Sequence, residues 1–358
     1  MLLESILLAG ILLFEIPTGV LGDKIGRKWS LVCGAFLGLI AWIPWFLAGG
    51  FLLFALSFFL SGVGIAFQSG SDQALIYDEL KRQGKESNMQ RMIGRYFGAM
   101  TLGTAVAALI GGYLASTQNL PIFYFLYLFN VIAQLIGFVL LLTVREPAMT
   151  AEGMARSHSQ QSAMFLFISG LRTLLVHTKL KRIFLLSLIT LPFPFVLIYL
   201  FQPYFVISGV APVWFGIAVF LASILSANAK IFSYKIEKLF GVEKGALIVT
   251  LLPGVLWLCM AVVFHPVFSV LLYILTDTAS SVRDPVFSDY LNRHIESYNR
   301  ATVLSILSMT TSLYSLIMRP IIGFLVDKDI HYGFIAIGLL IICGAVYFRI
   351  TQNDVEKI

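Results

Sequence analysis

The sequence predicts an all-α, polytopic membrane protein of about eleven transmembrane helices. Three observations carry that expectation. Of 358 residues, 58% are hydrophobic and 12% charged, with a mean hydropathy of +0.88, against about 45–50% and about 25% in soluble chains. So much apolar surface exceeds what one core can enclose, since cores stop growing near ~250–300 residues. The apolar residues fall into uninterrupted runs of bilayer-spanning length, about 20 residues each, and the cations collect in every second connection. A soluble enzyme, a disordered chain and a collagen-like chain are excluded.

In order, the first span covers residues 1–22. No basic stretch precedes its apolar run and no small-residue cleavage site ends it, so it reads as a permanent span rather than a signal peptide. Four more follow at 29–47, 50–71, 92–115 and 122–143. The connection 145–181 opens polar (REPAMTAEGMARSHSQQ) and continues as SAMFLFISGLRTLLVHTKLK, too interrupted to cross and expected as an amphipathic helix on the inner surface. Six spans complete the chain at 182–203, 212–234, 245–263, 266–288, 301–325 and 332–349. Strands are excluded, because the runs far exceed ~10 residues and do not alternate. The expected organisation is a five-span bundle over 1–144, a linker over 145–181, a six-span bundle over 182–350 and a tail over 351–358.

All but Arg319 and Lys328 of the 25 lysines and arginines lie on one side of the alternating loops. The connections around residues 48–49, 116–120, 203–212 and 264–265 are short and nearly uncharged. The positive-inside rule makes the basic side cytoplasmic, with the N-terminus outside, the C-terminus inside, and the plasma (inner) membrane as location. The net charge of +6 therefore reflects basic loops, not a nucleic-acid partner. The three cysteines, Cys33, Cys259 and Cys343, lie in apolar runs without metal-ligand spacing and are expected as packing residues. The five histidines are scattered, no catalytic constellation appears, and no glycine loop could cradle a phosphate. The chain reads as no enzyme and as needing no metal or cofactor.

The two halves resemble each other. SGSDQALIYDEL closes the third span and SVRDPVFSDYL the ninth, placing Asp72 opposite Asp284; GGYLASTQNLPIFYF and IGFLVDKDIHYGFIA align Gly112 with Gly323. Internal repeats of this kind build secondary transporters.

The loop after the first span reads GVLGDKIGRKWSL, residues 19–31. Gly26 suits a turn with positive φ, Gly19 would let a neighbouring helix approach, Asp23 stands at a helix end, and Arg27 and Lys28 can pair with acids or lipid phosphates. Gly19, Leu21, Asp23, Gly26, Arg27 and Lys28 match the Gly-x-Leu-x-Asp-x-x-Gly-Arg-Lys/Arg signature of the major facilitator superfamily, which the whole chain resembles. EIPTG (15–19) and SGSDQALIYDEL (69–80) are similar to its bacterial branch of drug and metabolite transporters. The resemblance implies two pseudo-symmetric helical bundles around a central site, with the signature loop latching the cytoplasmic gate. It also implies twelve helices, of which the first is missing here. A late start is the expectation, with a fragment or a five-helix variant as alternatives. In the fourth span, Gly103, Ala107, Gly111 and Gly112 (GTAVAALIGG) suit close helix packing. They resemble the antiporter pattern Gly-x-x-x-Gly-Pro-x-x-Gly-Gly, with Ala107 and Ala108 in place of Gly-Pro. A further departure is the third span, FLSGVGIAF, which lacks the arginine many antiporters carry near Ser61 and Gly62.

Ionisable groups at bilayer depth are costly and therefore functional or paired. Glu15 lies about 12 Å along its helix from Asp23. Asp277, near mid-depth, is the best-placed carboxylate for a proton or a cationic substrate, because burial in general disfavours an ionised carboxylate. Asp72, Arg283 and Asp284 are expected in inter-helix ion pairs. Arg319 could pair with a carboxylate or snorkel, and Asn130 and Gln134 share a face as helix glue or ligand contacts. The expected function is alternating-access secondary transport, as proton-coupled efflux of a small amphipathic compound. Metabolite uptake by the same fold and a non-transporting fragment are the alternatives. The energy source would be the proton gradient. The partners would be the bilayer and a small-molecule substrate, with no nucleic acid, and the chain would act as a monomer.

Overall fold

The computed structural model describes residues 1–47, 50–85, 88–145, 178–294 and 300–349. Every regular element among them is a helix. The first half holds α1 (Leu2–Ile25), α2 (Arg27–Ile40), α3 (Ile43–Phe46), α4 (Phe51–Gln68), α5 (Ser71–Arg82), α6 (Met89–Ala115) and α7 (Leu120–Thr143). The second holds α8 (Thr178–Thr190), α9 (Phe193–Ile207), α10 (Val213–Ile231), α11 (Tyr234–Val262), α12 (Pro266–His294), α13 (Arg300–Lys328) and α14 (Ile330–Tyr347). Helices are the necessary solution in hydrocarbon, where each backbone N–H and C=O must be satisfied within its own segment.

Two of the expected spans are each made of two helical pieces: the second breaks after Ile40 and resumes as α3, and the sixth breaks between Thr190 and Phe193. At the end of the third, Gly70 at φ +72° turns the chain from α4 into α5, which lies beyond the expected span. The eighth begins earlier than expected, at Tyr234, and is kinked at Gly241 (φ +76°). The amphipathic linker helix lies largely outside the described residues.

Ten stretches are long and apolar enough to cross a membrane among the described residues, and the ninth expected span is not one of them. Its helix, α12, has ample length at 29 residues. Its middle, however, carries Thr276, Asp277, Thr278, Ser280, Ser281, Arg283 and Asp284, which lower its hydropathy. The helix packs against α8, α9, α10 and α11, with Val267, Phe268, Leu271 and Leu275 left exposed.

The helices pack into two compact units. One contains residues 2–103 and α7; the other contains Met1, residues 104–118 and α8 to α14. Thr104–Gln118, which the sequence reading placed with the first bundle, thus packs with the second-half helices.

In the first unit α4 is central, packed by α1 on one side and α2 on the other, and α7 lies on α2. The α1–α4 crossing depends on two glycines. A Cβ on Gly62 would strike the Leu7 carbonyl oxygen, and one on Gly10 would stand 2.8 Å from the Phe59 carbonyl oxygen. Where water supplies no hydrophobic drive, this backbone-to-backbone approach is what gives helix association its packing energy.

The core of the second unit is larger and aromatic. Phe193, Leu197, Tyr204, Phe205, Trp257 and Phe334 are all nearly inaccessible. Tyr204 donates its hydroxyl to the Val263 carbonyl at 2.6 Å and packs edge-on against Phe334, with ring centroids 5.2 Å apart. A second cluster around Phe184, Leu186, Val249 and Ile306 extends that core.

Gly62→Leu is expected to cost about 1–3 kcal/mol of stability by overpacking the α1–α4 crossing, read as a lower thermal midpoint of the detergent-purified protein. Gly137→Ala, where a Cβ meets nothing within 4 Å, should not lower the midpoint, since alanine favours a helix interior over glycine.

Candidate functional site

The signature loop joins α1 to α2. Gly26 has φ +102°, a region open to glycine and strained for other residues, so the turn the sequence demanded is present. Its amide donates to the Gly22 carbonyl at 2.9 Å, and its own carbonyl accepts from Ser30. Lys28 donates its ammonium to the Leu142 carbonyl of α7 at 2.8 Å, a cation on the open carbonyls of a helix C-terminus. Lys28 also stands 5.5 Å from the Trp29 ring centroid. Arg27 opens α2, and Asp23 lies in the last turn of α1. Gly19 does not provide the expected close approach: a Cβ there meets nothing within 4 Å. The close neighbour is one turn later, where a Cβ on Gly22 would stand 3.1 Å from the Ser30 hydroxyl oxygen.

The fourth-span pattern is displaced by one residue from the face that packs. A Cβ on Gly103 or Gly111 meets nothing within 4 Å, and Ala107 is exposed. The contact is made by Ala108 and Gly112 against Gly216 of α10. A Cβ on Gly112 would stand 2.6 Å from the Gly216 Cα, and one on Gly216 would strike the Ala108 carbonyl.

The first unit holds the other polar candidates. Glu15 is half-buried, one turn before Thr18, whose hydroxyl donates to the Phe14 carbonyl at 2.7 Å. Asp72 accepts from the Tyr96 hydroxyl of α6 at 2.9 Å and from the Gln73 amide at 2.7 Å. The Asp72 contact between helices is therefore a hydrogen bond to a phenol, where an ion pair was expected. Asn130 and Gln134 do share a face. Gln134 lies against Gly38 of α2, and Tyr127, one turn before, packs on Trp42 and Trp45 with centroids 6.2 and 5.6 Å apart. The Asn130 Oδ1 is buried without a hydrogen-bond donor.

In the second unit the candidates gather on α12. Asp277 is 11 residues from the Pro266 end of its helix, about 16 Å along the axis, close to the middle of a ~30 Å hydrocarbon layer. Its Oδ2 accepts from the Ser226 hydroxyl of α10 at 2.6 Å. One turn towards Pro266, Tyr273 is buried against Phe201 and Phe205, with centroids 5.0 and 5.5 Å away. Arg283 is buried, and its Nη2 pairs with Asp284 at 3.0 Å. Donor and acceptor are adjacent on one helix, so this pair does not tie two helices together as the sequence suggested. Arg319, buried on α13, stands 5.7 Å from the Phe195 ring centroid.

Sequence reasoning missed Ser226. A serine in an apolar helix is ordinary, and only its distance from Asp277 distinguishes it.

The arrangement offers one carboxylate at mid-depth with a neutral hydroxyl donor and an aromatic wall beside it. That set can take up and release a proton or receive a cation. It includes no nucleophile–base pair, and no cluster of metal-ligating side chains occurs among the described residues.

Comparison with known proteins agrees with this architecture. An uncharacterized MFS-type transporter of Methanocaldococcus jannaschii is 28% identical over 129 residues, covering 35% of this chain. The match spans only 32% of that relative's length. Among solved structures, a mutant of the nucleoside transporter NupG superposes with a TM-score of 0.75 over 97% of this chain and 89% of that one, at 15% identity. A POT family transporter in complex with 5-aminolevulinic acid gives 0.70 over 96% and 85%, at 14% identity. The Major Facilitator Superfamily profile matches residues 1–241, and the chain belongs to that superfamily.

Proposed function

We propose that the protein is a secondary active transporter that works by alternating access and exchanges protons for a small amphipathic compound moved out of the cell. The observation that carries this reading is Asp277, a carboxylate near mid-depth on a helix less apolar than the ten candidate spans, bonded at 2.6 Å to Ser226. A group that must cycle between charged and neutral needs such a place: screened from bulk water, yet with a donor ready for the ionised form. The proton gradient supplies the energy, and no cofactor enters. Asp23, Arg27 and Lys28 belong to the gate. The two helical bundles are its moving parts, and the protein works as a monomer in the plasma membrane with its C-terminus in the cytoplasm.

Uptake of a metabolite is the second reading. Ala107 and Ala108 stand where antiporters carry Gly-Pro, and no arginine stands near Ser61 and Gly62. Both departures weaken antiport without weakening transport.

Accumulation of a panel of fluorescent cationic dyes in cells, with and without a protonophore, tests the direction. Efflux predicts lower accumulation in expressing cells, abolished by the protonophore; protonophore-sensitive higher accumulation favours uptake. Asp277→Asn should remove the dependence on the proton gradient while leaving expression intact, and an unchanged pH dependence would exclude Asp277 from coupling. Asp23→Asn should lower the transport rate about tenfold, the equivalent of about 1.4 kcal/mol, without impairing insertion; wild-type kinetics in vesicles would count against the latch. Sidedness is tested with Cys33, Cys259 and Cys343 replaced by serine and single cysteines placed at Gln118 and Lys235. An impermeant thiol reagent applied to intact cells should label the first and spare the second.

A further inference from the structure

We infer that Ser226 is a positioning residue for proton exchange: its hydroxyl, presented by α10, fixes the Asp277 carboxyl in both its ionised and its protonated state. The inference rests on the transport reading above and deepens it by naming the group that holds the carboxyl.

The geometry begins with α10. Ala218, Ala222 and Ser226 recur every four residues and are 0%, 2% and 8% exposed, so they form one stripe on a single face. Small residues at that spacing let α10 lie close against α12, which it packs along its length. The stripe is apolar until its last member, and that member carries the hydroxyl opposite Asp277. Replaced by a third alanine, the stripe would still pack; what would vanish is the 2.6 Å donor to the Asp277 Oδ2. One turn along α12, the Ser281 hydroxyl donates to the Thr278 carbonyl of its own helix at 2.8 Å and lies 3.3 Å from the Ser226 backbone carbonyl. Ser226 therefore also touches the opposite helix through a weaker contact that does not involve the carboxyl.

A hydroxyl suits both protonation states because it donates and accepts. While Asp277 is ionised, Ser226 donates to it. When Asp277 binds a proton from water, its new O–H can donate to the Ser226 oxygen. The Ser226 proton then turns to the carbonyl one helical turn back, the bond its neighbour Ser223 already makes to Val219 at 2.8 Å. The only covalent change is the O–H bond made on Asp277 and broken on release. A lysine at this position would hold only the ionised state, and an apolar residue neither.

The charged and titratable groups around Asp277 are few. Tyr273 on its own helix and Lys230 on α10 bear on it electrostatically. Arg283 and Asp284 stand about two turns further along α12. Of the other packed helices, α9 carries Tyr199 and Tyr204, α11 carries Cys259 and, before its apolar run, Tyr234, Lys235, Glu237, Lys238, Glu243 and Lys244, and α8 carries Lys179, Lys181 and Arg182.

The test is infrared difference spectroscopy of the protein reconstituted in lipid, following the protonated-carboxyl C=O band across a pH titration, with the proton itself as probe. Asp277→Asn should delete one band, which identifies Asp277. Ser226→Ala should raise the frequency of that band and displace its titration. Ser226→Thr should restore both, and Ser281→Ala, which loosens the same helix contact without touching the carboxyl, should change neither. An Asp277 band that Ser226→Ala leaves in place, or that Ser281→Ala moves equally, overturns this inference while the transport reading stands. A titration in which no band depends on Asp277 overturns both.

Discussion

Hydrocarbon does not solvate a polar atom, and each structural feature described above answers that constraint. The backbone answers it by forming helices. Side-chain hydroxyls answer it by bonding back to their own helix: Thr18, Thr190, Ser223, Thr250, Thr276, Thr310, Thr311 and Ser315 each donate to the carbonyl four residues earlier. Such a bond costs little in lipid, since the hydroxyl has no water to return to. Against that background a hydroxyl that reaches across to another helix stands out. Ser226 does so to Asp277, Ser269 does so to Ser208 at 2.8 Å, and Ser30 donates to the Phe67 carbonyl at 2.7 Å.

The same constraint explains why polarity is concentrated in α12. A helix with Asp277, Arg283 and Asp284 cannot be surrounded by lipid without a large penalty. It packs against α8, α9, α10 and α11, whose aromatic and small residues cover Asp277 and Arg283, while Val267, Phe268, Leu271 and Leu275 stay exposed. The hydropathy deficit that removes α12 from the apolar spans and its role as carrier of the candidate site have one cause.

Much of this was legible in the sequence because it depends on composition and local geometry. Spans follow from runs of apolar residues, and Gly26 takes positive φ because a turn between two helices needs it. What was not legible depends on which face of a helix meets which neighbour. Gly103, Ala107 and Gly111 have the spacing of a packing stripe, yet Ala108 and Gly112 make the contact. Rotation by one residue, about 100° around the axis, leaves the spacing unchanged. Gly19 fails for the same reason, with Gly22 one turn later in the crowded position. Arg283 and Asp284 read as cross-helix partners because charges at depth need partners, and sequence cannot tell that each had one beside it.

Asp277 and Ser226 illustrate the division. The carboxylate is conspicuous in sequence because ionisable residues are rare in apolar runs; its partner lies 51 positions away and belongs to a residue type that spans tolerate freely. A neutral partner is also the more informative one. A buried lysine or arginine would hold Asp277 ionised by direct attraction and oppose a proton's arrival. A hydroxyl adds no net charge and can serve either protonation state by donating or accepting. The proposed coupling needs that freedom: a carboxylate locked in one state, however well placed, could take no part in a cycle.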